Sequence, residues 1–222
     1  MNDQLRLELD GGVWFRNALN RTDIETLNKV AICEKQHGER INWDSSRAKT
    51  ITKITNLHNL VSTVLPNAKP VRALVFNKST DTNWGVPWHQ DRVISVKDKH
   101  DVKGYKNWTK KSGVWHVEPP VDILEKMVFV RIHLDENTKN NGCMEIALRT
   151  HKFGYIPAHA QANIIASAQT ELSVANKGDI LVVKALILHR SRQSKSGDTR
   201  RTLRVDYTNQ QLPAPLEWAE LR

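Results

Sequence analysis

His89 and Asp91 stand two residues apart in the run Trp88-His89-Gln90-Asp91. Side chains at i and i+2 of a strand project from one face, so this imidazole and carboxylate are placed to grip one ion. A third ligand must come from elsewhere, and His189, at the end of the apolar run from Ile180 to Leu188, is the candidate. Two imidazoles and one carboxylate on one side of an ion leave three positions open, the arrangement of non-haem Fe(II) oxygenases. A His-X-Asp pair alone is common. A third histidine after an apolar strand, with Arg200 eleven residues beyond it, makes the combination far more specific.

The arginine has a use in such a site. 2-Oxoglutarate chelates iron through its keto-acid end, and its far carboxylate then needs a cation. A guanidinium meets a carboxylate with two parallel hydrogen bonds. Ser191 offers a hydroxyl to the same carboxylate. Asn77, ending the strand before the iron loop, is either a further cosubstrate contact or a core cap. On a strand Arg200 and Arg204 share a face and Arg201 points away, so one face at most serves the site.

These residues need a scaffold. Leu5–Leu9 alternates apolar and polar and is broken by Gly11 and Gly12, which reads as a short strand and turn. Thr22 followed by Glu25 reads as a helix start, with Ile24, Leu27, Val30 and Ile32 as its apolar stripe. A second helix is expected over 49–64, where Ile51, Ile54, Leu57, Leu60 and Val61 fall on one side, ended by Pro66 and Pro70. From there the pattern is β: strands over 71–76, 94–96, 127–134, 143–148, 173–174, 179–188 and 202–207, with turns at Asn140-Asn141-Gly142 and Lys177-Gly178. Helices first and short strands after point to an antiparallel β-sandwich or barrel backed by N-terminal helices. One domain is expected: a helical part over about 1–70, a β core over about 71–210, and an insert over about 97–120. That insert shows no periodicity. With Trp108, Trp115 and His116 it is as readily a lid as a surface loop held by tryptophan packing.

Other side chains have two readings. Trp84 and Trp88 wall the site or belong to the core. Arg131 and His133 share a face of an apolar strand. If that face lines the barrel, Arg131 meets an anionic substrate; otherwise the face packs under the N-terminal helices.

The 222 residues carry a formal charge of +9 and are 39% hydrophobic, which supports a packed core. The basic residues are scattered, so the charge fits an anionic small-molecule substrate or plain solubility better than a nucleic acid. No stretch of 18 apolar residues exists to span a membrane. The N-terminus lacks a basic-then-apolar signal pattern. Cys33 and Cys143 have no metal-type spacing and are expected as buried thiols in a reducing cytoplasm.

Taken together, Trp88-His89-Gln90-Asp91, the stretch from Arg131 through Asp135 to Asn141-Gly142-Cys143-Met144-Glu145, and His189-Arg190-Ser191 with Arg200 resemble the phytanoyl-CoA dioxygenase family. The resemblance runs from about Leu7 to Tyr207. Asn83–Asp91 and Val117–Pro120 are similar to a largely uncharacterised bacterial branch. It implies a mainly β double-stranded β-helix, or jelly roll, with flanking N-terminal α-helices and iron at the open end. It implies that His89, Asp91 and His189 bind Fe(II), that Arg200 and Ser191 bind 2-oxoglutarate, and that O2 is the second cosubstrate. Succinate and CO2 would be released as a small-molecule C–H bond is oxidised. One departure is local: the family's Pro-Gly-Ser-His turn is here Leu148-Arg149-Thr150-His151. Two other functions share parts of the pattern. A nucleic-acid demethylase shares His-X-Asp…His but differs in its arginine spacing and needs a basic-aromatic stretch for a flipped base. A non-redox cupin-like binding protein needs no ligand triad paired with a dicarboxylate arginine.

Overall fold

The computed structural model describes residues 1–32 and 38–222. Four helices come first: α1 (Asp3–Asp10), α2 (Arg21–Val30), α3 (Ser46–Thr52) and α4 (Thr55–Val64). Interleaved with and following them are β1 (Gly12–Phe15), β2 (Gly38–Ile41), β3 (Lys69–Lys78), β4 (Val86–His89), β5 (Ile94–Val96), β6 (Lys106–Lys111) and β7 (Val114–Glu118). Next come α5 (Val121–Glu125), β8 (Met127–His133), β9 (Met144–Ala147), α6 (Ala158–Ser167), β10 (Thr170–Leu172), β11 (Ile180–Lys184), β12 (Leu188–Ser191) and β13 (Arg200–Thr208).

Two antiparallel sheets form the jelly roll, a six-stranded one in the order β1-β11-β8-β13-β3-β2 and a four-stranded one in the order β10-β9-β12-β4. Alternation along the six-stranded sheet divides its faces. Val75, Val130, Ile132, Leu203, Val205 and Tyr207 point outward into the main core, where they meet Leu27, Ile51, Leu57 and Val61 of the helices. The inner face carries Phe129, Leu181 and Val183, packed on Met144, Ile146 and Ile187 from the opposing side. Arg131 and His133 share the inward parity of Phe129. Their strand face therefore lines the barrel and does not lie under the helices.

Several sequence expectations are corrected. Leu5–Leu9 is helix. Asn2 caps it by accepting a hydrogen bond from the Leu5 amide at 2.8 Å, and Gly11 closes it in the left-handed region at φ 83°. Only Leu7 of its three leucines is buried, so their alternation marked no sheet face. The second helix is capped by Asn20, not Thr22: the Asn20 side chain takes the Asp23 amide at 2.8 Å, while Glu25 pairs with Arg21. Ile32 is exposed. The single helix expected over 49–64 is two, separated at Lys53-Ile54. The strand expected over 179–188 turns at 185–187, which moves the chain from the six-stranded to the four-stranded sheet.

The 97–120 segment contains a β-hairpin. β6 and β7 pair with each other and β7 with β5, forming a third sheet. Tyr105 and Val117 sit in a cluster with Leu216, flanked by Trp108, Trp115 and Trp218. The pattern was hidden because β6 is an exposed edge strand in which three of six residues are lysine, a common edge device, and Asn107 takes a positive φ of 56°. No helix among the described residues is long and apolar enough to cross a membrane. Cys143 is buried and unpaired, and Cys33 lies outside the described residues.

Candidate metal and cosubstrate site

β4 and β12 are neighbours in the four-stranded sheet, and His89 and His189 face each other in their register. Their rings lie 4.2 Å apart between centroids. Asp91 follows two residues past His89, just beyond the end of β4. One ligand atom from each of the three residues falls within 4.8 Å of the others, and His189 Nε2 lies 3.3 Å from Asp91 Oδ2. Both imidazoles are turned the same way. His89 Nδ1 lies 2.9 Å from the Pro87 carbonyl and His189 Nδ1 lies 3.0 Å from the Ile187 carbonyl. A proton on Nδ1 is held by those carbonyls, which leaves the Nε2 lone pairs for a cation. Burial, then the neighbouring His189, lowers the His89 pKa, which favours the neutral ligand form.

The residue between the ligands fixes the bend. The Gln90 amide donates to the Gly154 carbonyl at 2.8 Å and the Leu186 carbonyl at 2.6 Å, and its oxygen accepts from the Ile156 amide at 2.8 Å. All of the Gln90 bonds go to backbone, so the turn that aims His89 and Asp91 is tied to two other loops.

Asp91 is held from behind. Arg204 Nη1 donates to Asp91 Oδ2 at 2.5 Å, and Arg204 Nε donates to Asp206 Oδ1 at 2.6 Å. Arg72 closes the chain by donating to Asp206 Oδ2 at 2.6 Å. The Arg204 guanidinium also lies 4.1 Å from the Phe129 ring centroid. Burial alone would push the Asp91 carboxyl up, but Arg204 and His189 outweigh it and hold it well below the usual carboxylate range. Two acids and two guanidiniums thus form a nearly neutral buried chain that ends on the candidate ligand.

The other cations nearby are not neutralised. Arg200 and Lys78 are register partners on β13 and β3, and Arg131 is the partner of Arg204 across β8 and β13. All three are buried, and none has a carboxylate within ion-pair distance among the described residues. Among the described residues, Nε and Nη1 of Arg200 and Nε of Arg131 have no hydrogen-bond partner. Burial and then each other's charge pull Lys78 down to about 7 and Arg131 to about 9, and burial lowers Arg200 to about 10. Unmatched buried charge is costly, so a cluster of this kind is built for an anion. By contrast, Arg201 faces outward and makes a two-pronged pair with Asp135, Nε to Oδ2 at 2.9 Å and Nη2 to Oδ1 at 2.8 Å.

The triad and Arg200 open on one cavity of about 250 Å³, which Ser191, Arg131 and Trp84 also line. The Ser191 hydroxyl donates to the Gly142 carbonyl and accepts from Lys78 Nζ, each at 3.0 Å. Three expected residues are elsewhere. Asn77 lies on the opposite face of β3 from Phe76 and Lys78, because strand side chains alternate. Trp88 packs beside Ile156 and Leu188 on the outer side of the four-stranded sheet, with the Arg190 guanidinium 4.7 Å from its ring. His116 lines a narrower void behind Arg40 and Arg72, not the triad cavity itself. Lys78, Arg204 and Gln90 were missed. Lys78 gives no local signal, for its place beside Arg200 follows only from the β3–β13 pairing; Arg204 was visible as sharing a face with Arg200.

Solved structures with this fold include AviO1 from Streptomyces viridochromogenes (18% identity, 95% of each chain covered, TM-score 0.67). They also include SnoN, an α-ketoglutarate-dependent epimerase of nogalamycin biosynthesis (12% identity, 93% of this chain and 79% of that one, TM-score 0.67). EctD from S. alaskensis matches as well (12% identity, 92% and 75%, TM-score 0.68). No significant match exists among curated proteins. The sequence profile of phytanoyl-CoA dioxygenase matches residues 8–202, nearly the whole chain, and the protein belongs to that family.

Proposed function

We propose that this protein is a non-haem Fe(II)- and 2-oxoglutarate-dependent dioxygenase that hydroxylates, or otherwise oxidises, a C–H bond of a small molecule and releases succinate and CO2. One observation carries the reading: two imidazoles and a carboxylate converge on a cavity that buried, unneutralised Arg200 and Arg131 also line, with Lys78 the register partner of Arg200. A metal chelated by a keto acid whose far carboxylate reaches those cations satisfies both the triad and the cations. SnoN, which shares the fold, has been solved with Fe3+ and α-ketoglutarate.

His89, Asp91 and His189 are the metal ligands in this reading. Iron held there supplies the redox chemistry that couples oxidative decarboxylation of 2-oxoglutarate, with O2, to oxidation of the substrate. The chain's own part is geometric and electrostatic. Pro87 and Ile187 carbonyls hold the imidazole tautomers, and Arg204 holds the carboxylate ionised. Arg200 takes the far carboxylate of 2-oxoglutarate, with Lys78 behind Ser191 adding charge. Ser191 contributes its hydroxyl after turning away from Gly142. Leu74, Phe76, Val86 and Met144 give the same cavity an apolar portion. The chain works as one catalytic unit, and a reducing cytoplasm suits the unpaired thiol of Cys143.

The test is a pair of variants. His89→Ala and His189→Ala are expected to lose stoichiometric Fe(II) in anaerobic titrations and all O2-dependent succinate formation, while circular dichroism stays that of the wild type. Full iron occupancy in either variant would refute the ligand assignment.

A further inference from the structure

A second cationic pole lies across the cavity from Arg200, and the iron and cosubstrate reading does not use it. Arg40 on β2 is in register with Leu74, and the same row continues through Arg204 to Arg131. The row crosses four strands, so Arg40 and Arg131 stand roughly 14 Å apart at the backbone, on opposite sides of the Arg204–Asp91 pair. Arg40 lines the triad cavity. Among the described residues its buried Nε has no hydrogen-bond partner and no carboxylate pairs with it. Behind it His116 presents a buried, unpartnered Nε2 into the adjoining void, its Nδ1 being held by the Val114 carbonyl at 3.0 Å.

The acidic residues around the cavity are already matched. Asp91 and Asp206 are matched by Arg204 and Arg72. Glu145 is matched by Arg190 at 2.7 Å. 2-Oxoglutarate brings two negative charges, which the metal and the Arg200 pole would share, with Arg131 and Lys78 beside that pole. Arg40 stands apart from that pole, a half-buried guanidinium beside Arg72 with no counter-charge among the described residues. Leu74, the register partner of Arg40, lines the cavity with Val86 and Val93 and gives it an apolar wall. We infer that the substrate carries a carboxylate or phosphate group bound by Arg40, with a hydrocarbon segment along that apolar wall presenting its C–H bond to the triad. This rests on the iron and 2-oxoglutarate reading and adds to it the substrate class. A guanidinium accepts either oxyanion in the same two-pronged geometry.

The experiment is an anaerobic calorimetric titration of the protein saturated with Fe(II) and 2-oxoglutarate, which keeps the Arg200 pole filled. The probes are hexanoate, hexyl phosphate and the uncharged hexanamide. One of the two anions is expected to bind about tenfold or more tightly than hexanamide, and which anion wins identifies the head group. Arg40→Gln is expected to bring the anion and the amide within about twofold, and Arg40→Lys to keep part of the preference. The 2-oxoglutarate titration of the same variants reports whether they are folded. Equal binding of all three probes, no binding of either anion, or an anion preference that survives Arg40→Gln overturns the inference while 2-oxoglutarate binding stands. Failure of the wild type to bind 2-oxoglutarate with Fe(II) sinks the underlying reading instead, and is seen before any probe is added.

Discussion

Arg200 and Arg201 are neighbours in sequence with opposite surroundings, because β13 alternates between the cavity and the outer face. Arg200 is buried with free donors, and Arg201 is paired with Asp135. Arg200→Ala is therefore expected to weaken 2-oxoglutarate binding by ~30- to 1000-fold, the loss of a charge-assisted carboxylate contact worth ~2–4 kcal/mol. Arg201→Ala should leave it within about twofold. A larger effect from Arg201 in calorimetric titrations would place the cosubstrate on the wrong face. Asp91 and Arg204 make a second pair of tests. Asp91→Asn keeps the shape of the side chain but removes the one carboxylate of the ligand triad, so Fe(II) affinity and succinate formation should both collapse. Arg204→Lys keeps the charge but cannot bridge Asp91 and Asp206 at once, and a lost orienting partner typically costs ~10- to 100-fold in metal affinity. Near-wild-type Fe(II) binding and turnover in Asp91→Asn would make Asp91 an orienting partner and not a ligand.

At the scale of elements, the strands that carry the chemistry were the legible ones. β3, β8 and β13 are long and rich in apolar residues, so their presence followed from the pattern, while the face of β8 that carries Arg131 and His133 stayed open until the sheets were packed. His89, Asp91, His189 and Arg200 could be read because each stands at or near a strand end. What could not be read depended on contacts distant in sequence. Lys78 acquires its role only when β3 pairs with β13. The helix at 3–10 depends on its Asn2 and Gly11 caps, whereas its three leucines mimic a strand. The hairpin at 106–118 opens with an edge strand whose lysines are exposed. The turn at 148–151 shows the same point from the other side. Family members place glycine where this chain has Arg149, and the structure keeps the left-handed backbone there at φ 68°. A side chain in that conformation costs ~1–2 kcal/mol. The exposed 3.0 Å pair of Arg149 with Asp10 returns at most ~1 kcal/mol. Arg149→Gly is thus expected to be neutral or to stabilise by up to ~1 kcal/mol in urea unfolding. A loss above ~2 kcal/mol would mean that the ion pair ties α1 to the barrel.

At the scale of the whole molecule, the barrel stores positive charge in its interior while the iron and cosubstrate are absent, and pH reads that store. Lys78 is the sensitive member, since burial and the nearby Arg200 and Arg131 bring its ammonium down from 10.5 to about 7. Between those two values the unfolded lysine holds a proton that the folded one has released. The unfolded state then binds more protons, so stability rises with pH from about 7 upward and the contribution levels off near the ordinary lysine value. Below pH 7 both states are protonated and the penalty of the buried charge is felt in full. Binding of 2-oxoglutarate reverses the balance, because an anion at the Arg200 pole favours protonated Lys78. Below pH 7 the proton is already present. Above it each binding event must take one up, and the dissociation constant for 2-oxoglutarate should rise by about tenfold per pH unit until the bound-state pKa is reached. Lys78→Met removes the titrating group, so its 2-oxoglutarate affinity should be weaker at pH 6.5 and nearly flat to pH 8.5, while its stability in the ligand-free state should lose the rise. Calorimetry in two buffers of different ionisation enthalpy measures the proton directly: uptake approaching one per 2-oxoglutarate at pH 8 in the wild type and close to none in Lys78→Met. Equal proton uptake in the two proteins would assign the titration to another group and leave Lys78 as a structural tie between Ser191 and the Arg192 carbonyl.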